Sequence, residues 1–420
     1  MIQQIRQTLH EYPRTFWLLI ISVFIDHIGS AMLYPYLSLY VTRHFQVGMT
    51  QAGLLFTIFS STAIIGSMIG GAIADKFGRK RMIIFGLIAS ASSSLLLGFV
   101  DDLHWFYLIA AFMGITANAG SPAQNAMVGD LLPQEKQASG FGMIRVAFNI
   151  SFAFGPLIGG YLAGVNFLYI FILDAIISFI TAGFFLAFIP ETQPEPPPHL
   201  AAQSLGMTFR GYLDVLKNNL FLFLIGALIL LELVYEQLNT TLPVFLRDSH
   251  GLPTNQFGWL LSMNAFMVVT MQIWISKKTT KYPPMLVMVF SAFLYLVGFG
   301  LFGVVRTFPW FILCFIIITI GEMTMSPVIL ASVSRFSSED NRARYMAIFE
   351  FGWTLPSIFA SLLGGLVIDN LNPNWLWYGC AIVGSLAVLL YFMLHVFGGE
   401  KLRIPDAKYQ QYLQKKQNLH

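Results

Sequence analysis

The stretch GGAIADKFGRKRM, Gly70–Met82, decides how this chain is read. Asp75, Lys76, Arg79, Lys80 and Arg81 crowd together in it, with Gly70, Gly71 and Gly78 set among them. A nearly uninterrupted apolar run precedes the stretch and another follows at once. Apolar runs of about twenty residues are long enough to cross a bilayer as helices. The stretch is therefore a short charged hinge between two membrane spans, and the question is what such a hinge does.

The composition supports lipid as the main solvent. Of 420 residues, 56% are hydrophobic and 11% are charged, whereas a soluble domain carries about 25% charged residues. Further runs predict spans near 16–40, 51–74, 82–100, 104–127, 140–164, 167–189, 220–245, 256–276, 284–304, 308–331, 343–368 and 374–397. The first run is too long for the core of a cleavable leader and reads as a permanent span. An even number of spans places both ends of the chain on one side. With that side cytoplasmic, only Arg43, Arg247 and Arg306 fall outside and Arg145 falls within a span, out of 24 Lys and Arg. Positive charge in short loops marks the cytoplasmic face, so this orientation is expected. Cys314 and Cys380 lie inside apolar runs and offer neither a disulfide framework nor a metal site.

The fold class expected is an all-α membrane protein of twelve transmembrane helices in two pseudo-symmetric six-helix bundles. The expected partition is a first bundle over 1–189, a cytoplasmic linker over 190–219, a second bundle over 220–398 and a cytoplasmic tail over 399–420. The linker opens with PETQPEPPPH, a proline-rich segment that favours an extended chain. The halves are related in sequence: 117–164 lies on 322–369 without a gap. Ser121/Ser326, Pro122/Pro327, Gly159/Gly364 and Gly160/Gly365 are among the identities. Two parallel six-helix repeats with a site between them are a transporter architecture.

In that setting Gly70–Met82 resembles the loop 2–3 signature of the major facilitator superfamily. Gly71, Ile73, Ala74, Asp75, Lys76, Gly78, Arg79 and Lys80 fill the pattern, with Ile73 in place of leucine. Glycine permits a tight turn and close helix approach, and Asp75 can face a helix N-terminus. The resemblance implies that Asp75 docks on the start of span 11 and that Arg79 pairs with an acid at the end of span 4, where Asp130 stands. Gly71, Asp75, Gly78, Arg79, Lys80 and Asp130 are thus expected to form a conformational gate. The equivalent stretch of the second half, ISKKTTKYPP, has the bases but lacks the acid and the glycines. The charge latch is therefore expected in the first half only.

A second signature lies in span 5. FGPLIGGYL, Phe154–Leu162, carries Gly155, Pro156, Gly159 and Gly160 and resembles the motif of the antiporter branches. Gly-Pro bends a helix, and the following glycines admit a close neighbour. Span 11 keeps Gly364 and Gly365 but has Ala360 and Ser361 at the Gly-Pro positions. One departure from the drug:proton antiporters stands out: Ala110 occupies the place of their span 4 arginine.

Six ionisable residues fall inside predicted spans: Asp26, Arg145, Glu232, Glu236, Glu322 and Glu350. Asp174 is read as nearer the outer end of span 6. Each charge at mid-membrane costs about 2.5–3.5 kcal/mol on insertion scales, so these groups must face one another or a wet cavity. They are the candidates for proton and substrate coupling. Glu232 and Glu236 lie one helical turn apart and are expected to share a face. Arg145 and Glu350 occupy equivalent repeat positions, and the sequence leaves open whether they pair.

The resemblance, with these acids, implies a proton-coupled antiporter like the twelve-span multidrug efflux proteins. It would export lipophilic or cationic small molecules by alternating access from the cell membrane. The expected partners are a small-molecule substrate, protons and the lipid bilayer, with the protein a monomer and no nucleic acid bound. No cofactor, metal or enzymatic activity is expected. A specific metabolite exporter or lipid translocator on the same fold is the rival, with Asn118, Gln124 and Asn125 as its hints. A non-transporting membrane sensor would need a larger output domain than the loops provide.

Overall fold

The computed structural model describes residues 11–193, 215–337 and 341–409. Among them there are helices and no strand, as a bilayer requires: a spanning segment must satisfy its backbone polar groups internally. Eleven helices are long and apolar enough to cross a membrane. Spans 1, 2, 3, 5 and 6 are Arg14–His44, Met49–Phe77, Arg79–Phe99, Gln134–Val165 and Leu168–Phe188. Spans 7 to 12 are Asn219–Thr240, Thr254–Thr279, Pro284–Phe302, Phe308–Ser334, Arg344–Asn370 and Asn374–Phe397.

Span 4 is divided. A 17-residue helix, Leu103–Ala119, is followed by Ser121–Leu131. Pro122, in the first turn of the second helix, has no N–H to continue the ladder, and the Gly120 N–H bonds the Asn118 carbonyl instead. Span 1 is likewise interrupted, by a single 3-10 turn at Tyr34–Tyr36 around Pro35. Span 7 breaks at Glu236, which caps Asn219–Tyr235 and precedes a short helix, Gln237–Thr240.

The described residues pack as two compact units. One combines those of Met1–Pro197 with Leu246–Val269; the other combines those of Pro198–Phe245 with Thr270–His420. Most of the expected linker, 194–214, lies outside the described residues, as does the end of the tail, 410–420.

In the first unit small residues set the helix spacing. A Cβ on Gly66 or Gly70 of span 2 would run into the backbone of Ile115 or Ala119 on span 4. The span 5 motif does the same against span 1. Gly155 abuts Ala31, and Gly159 abuts Met32 and the Tyr36 ring. The Tyr36 hydroxyl donates to the Pro156 carbonyl at 2.6 Å. The start of span 8 joins this packing: Thr254 Oγ1 donates to the Gly160 carbonyl at 3.2 Å. Just before it, Arg247 donates to the Leu39 carbonyl at 3.2 Å and to Thr42 Oγ1 at 3.1 Å.

The second unit holds a related contact with different chemistry. Gln237 Nε2 donates to the Ala360 carbonyl at 2.8 Å, and Gly364 leaves room for the Gln237 amide. An amide from span 7 thus bonds span 11, as the Tyr36 phenol of span 1 bonds span 5.

The second unit carries a charge contact of its own beside loop 8–9. Arg335, the repeat equivalent of Asp130, pairs with Asp406 of the C-terminal segment. It donates to the Ile404 carbonyl at 2.8 Å and lies 4.0 Å from the centre of the Tyr409 ring. The Ala407 N–H bonds the Thr280 carbonyl of loop 8–9 at 3.1 Å. The partner was missed because it comes from the segment after span 12 and the sign of the charge is reversed. Arg335→Ala is expected to loosen this segment and speed tryptic cleavage at Arg403 and Lys408 in the purified protein. Cleavage at the wild-type rate would show that the ion pair does not hold it.

Candidate functional site

Loop 2–3 is built around a single left-handed glycine. Gly78 has φ +103°, a conformation that costs an L-residue about 1–2 kcal/mol. A Cβ there would also strike the Glu191 carboxylate. That carboxylate, directly after span 6, accepts the Arg79 N–H at 3.0 Å and the Lys80 N–H at 3.2 Å. It therefore satisfies the first free N–H groups of span 3, where a negative charge is favoured.

The rest of the loop is tied down around this cap. Arg79 forms an ion pair with Asp130 and donates to the Ala126 carbonyl at 2.9 Å. Thr192 donates to Asp130 at 3.2 Å, and Gln193 donates to the Asp75 carbonyl at 2.5 Å. Lys80 Nζ donates to the Leu186 carbonyl at 2.8 Å. Gly71 is less crowded, since a Cβ there would make only ordinary contact with Pro122. The Asp75 side chain is exposed and forms no ion pair among the described residues. Glu191 escaped the sequence reading because it sits at the root of the proline-rich linker; its sequence signal was an acid immediately after a span.

The first unit also encloses a cavity of about 390 Å³. Asp26 of span 1 lines it together with the aromatic rings of Tyr34, Phe56 and Phe59 and the amides of Asn118 and Gln124. The carboxylate is fixed from behind: Ser178 of span 6 donates to Asp26 Oδ1 at 3.1 Å. His27, the next residue, bonds the Val23 carbonyl at 2.9 Å and packs edge-on against Phe148.

Behind Asp26 stands a second acid. Asp174, one turn before Ser178 on span 6, is buried at 3% exposure. Its carboxylate fills the place a Gly29 side chain would take, one turn after Asp26. It also lies against Ser94 of span 3 and within the electrostatic reach of Asp26. The sequence reading placed Asp174 nearer the outer end of span 6 and left it out of the site; a Gly29 spaced one turn from Asp26 was the available signal.

The second unit brings together Glu232, Glu236 and Glu322, which interact electrostatically. Three tyrosines that the sequence reading did not single out surround them. Tyr235 hydrogen-bonds Glu322, and its ring stacks on Tyr295 with centroids 5.8 Å apart. Tyr295 is seated against Gly321, beside Glu322, where a Cβ would press on its ring at 2.8 Å. Tyr391 of span 12 lies near Glu232. Glu236 closes the first helix of span 7, and its N–H bonds the Glu232 carbonyl at 2.9 Å, so the two acids stand one helical turn apart. Arg145 and Glu350 are both exposed.

The family described as Major Facilitator Superfamily matches residues 19–337 and 238–410. The chain is 27% identical to the MFS-type transporter YttB of Bacillus subtilis, over 94% of this chain and 97% of the relative. It is 24% identical to a Na(+), Li(+), K(+)/H(+) antiporter of Planococcus maritimus, over 93% and 98% respectively. It is 22% identical to multidrug resistance protein 2 of Bacillus subtilis, over 92% and 96%. In structure it is similar to a mutant of the nucleoside transporter NupG, with a TM-score of 0.79 at 14% identity, covering 91% of this chain and 100% of that one. At that identity the likeness carries the fold alone.

Glu191→Ala removes the cap of span 3. It is expected to lower stability by about 1 kcal/mol, within the usual range for a lost helix cap. Denaturant unfolding of the purified protein in detergent measures this, and an unchanged midpoint would mean that the cap is dispensable.

Proposed function

The chain belongs to the Major Facilitator Superfamily, a family of transporters and not of enzymes, and from that premise we propose that it exchanges protons for a lipophilic or cationic small molecule. Multi-pass architecture and family make it a membrane transporter. The finer reading places it in the cell membrane as a monomer surrounded by lipid, with both termini and loop 2–3 cytoplasmic. The two six-span halves then alternate access to a bound substrate, and Arg79, Asp130 and Asp75 take part in closing the cytoplasmic side.

One observation carries the reading: the cavity of the first unit presents a buried-edge carboxylate, Asp26, to a wall of aromatic rings. Aromatic faces and an anion suit a flat lipophilic cation. The same carboxylate can instead hold a proton, so one group can serve cargo and proton in turn. Asp26 is the coupling candidate at this place; His27 beside it and the buried Asp174 are the titratable groups that act on it or lie within its electrostatic reach. The span 5 motif, Gly155, Pro156, Gly159 and Gly160, supports exchange through its close packing on span 1. Relatives named for multidrug resistance and for cation/proton antiport are in keeping with this.

A second reading, a specific metabolite exporter, draws on Asn118, Gln124 and Asn125 lining the same cavity. Such amides suit a hydroxyl-rich cargo. The aromatic rings and the acid favour the first reading.

Asp26→Asn in proteoliposomes tests it. Proton-driven export of a fluorescent lipophilic cation is expected to fall at least about tenfold, equivalent to about 1.4 kcal/mol. Exchange of the cation across the membrane without a proton gradient is expected to fall with it, because the same carboxylate holds the cargo. Export at the wild-type rate would contradict the assignment of Asp26.

A further inference from the structure

The cluster in the second unit contains polar atoms that nothing so far explains. Glu232 Oε1, the Tyr295 hydroxyl and the Tyr391 hydroxyl are all buried without a hydrogen-bond partner among the described residues. The three side chains are 4%, 1% and 0% exposed. They come from spans 7, 9 and 12, so no single helix brings them together by accident of local geometry. Buried polar groups are normally satisfied, and an exception calls for an unseen partner.

Three partners are chemically possible, and they differ in what they satisfy. A water molecule could bridge the oxygens, but it would neutralise no charge. The charged groups that act on Glu232 are Glu236 and Glu322, both acids, so an ionised Glu232 needs positive charge beside it. A proton on Glu232 neutralises that group but leaves the lone pairs of both phenol oxygens without a shared partner. A small metal cation supplies charge and accepts lone pairs from several oxygens at once. The available ligands are carboxylate and phenol oxygens, the donors that hard cations take. Among the described residues no group of three carboxylate, imidazole or thiol side chains converges as a multiply charged ion would require.

We propose that Glu232, Tyr295 and Tyr391, with Glu322 and Tyr235 beside them, form a binding site for a dehydrated alkali cation. The ion competes there with a proton for Glu232. Tyr235, held to Glu322 and stacked on Tyr295, fixes the wall of the site rather than ligating the ion. The inference goes beyond the exchange proposed above and does not depend on which cargo the Asp26 cavity carries.

The test uses the purified full-length protein in detergent. Its thermal unfolding is followed in sodium, lithium, potassium and choline chloride at fixed chloride concentration and pH. A ligand that binds only the folded state raises the midpoint in a saturable way. At least one alkali ion is expected to do so while choline does not. In Tyr295→Phe and Tyr391→Phe, which remove one oxygen each and keep the ring, the concentration needed is expected to rise about tenfold, a loss of about 1.4 kcal/mol of binding. Glu232→Gln is expected to abolish the response. Equal midpoints in alkali and choline chloride would overturn the proposal, leaving a proton or a buried water at the cluster. An alkali response unchanged in both phenylalanine variants would overturn it too, since the ion would then bind elsewhere. Wild-type protein that shows the alkali response but exports no lipophilic cation would count against the proposed exchange alone.

Discussion

Each ionised side chain at the middle of a membrane span costs about 2.5–3.5 kcal/mol on insertion scales, and this cost organises the interior of both units. The acids on spans 1, 6, 7 and 10 do not face lipid singly. Asp26 and Asp174 gather with Ser178 and Ser94 in the first unit. Glu232, Glu236 and Glu322 gather with Tyr235, Tyr295 and Tyr391 in the second. In the exchange proposed above, a carboxyl kept among hydroxyls and other carboxyls trades one positive partner for another. The two clusters differ in access: Asp26 opens on a cavity, whereas Glu232 is closed in by aromatic rings.

Bringing polar groups from different helices into contact requires helices that approach closely. Lipid offers no hydrophobic drive for this, so small residues do it by letting backbones meet. Gly29 admits the Asp174 carboxylate, Gly66 and Gly70 seat span 2 on span 4, and Gly321 seats Tyr295. The breaks in spans 1 and 7 serve the same end, because Tyr36 and Gln237 beside them bond backbone carbonyls of spans 5 and 11. At the loop 2–3 end, Glu191 joins the chain after span 6 to the start of span 3. The Arg335–Asp406 pair joins the chain after span 12 to the end of span 10. In each unit an acid from the segment after a span, 6 or 12, is thus tied to another span.

Much of this was legible in the sequence, for identifiable reasons. Apolar runs of membrane length read directly as helices, and the charged loop at Gly70–Met82 had a defined place between two of them. Arg79 and Asp130 could be matched through the family resemblance. What stayed hidden depends on tertiary partners. Tyr295 and Tyr391 lie in apolar runs, where a tyrosine is indistinguishable from one at the lipid interface. Asp174 looked peripheral because span numbering does not reveal which face meets span 1. Glu191 and Asp406 lie in polar segments after spans 6 and 12, where an acid carries no periodic signal. The division of span 4 at Gly120 was also missed, since the apolar run continues across it.

The central claim is that a cation and a proton compete for buried carboxyls. Its most direct test is proton release from the purified wild-type protein in weak buffer as a lipophilic cationic dye is added. The account predicts acidification that saturates with dye binding and reverses when the dye is removed. Saturable binding of the dye with no release of protons would contradict it.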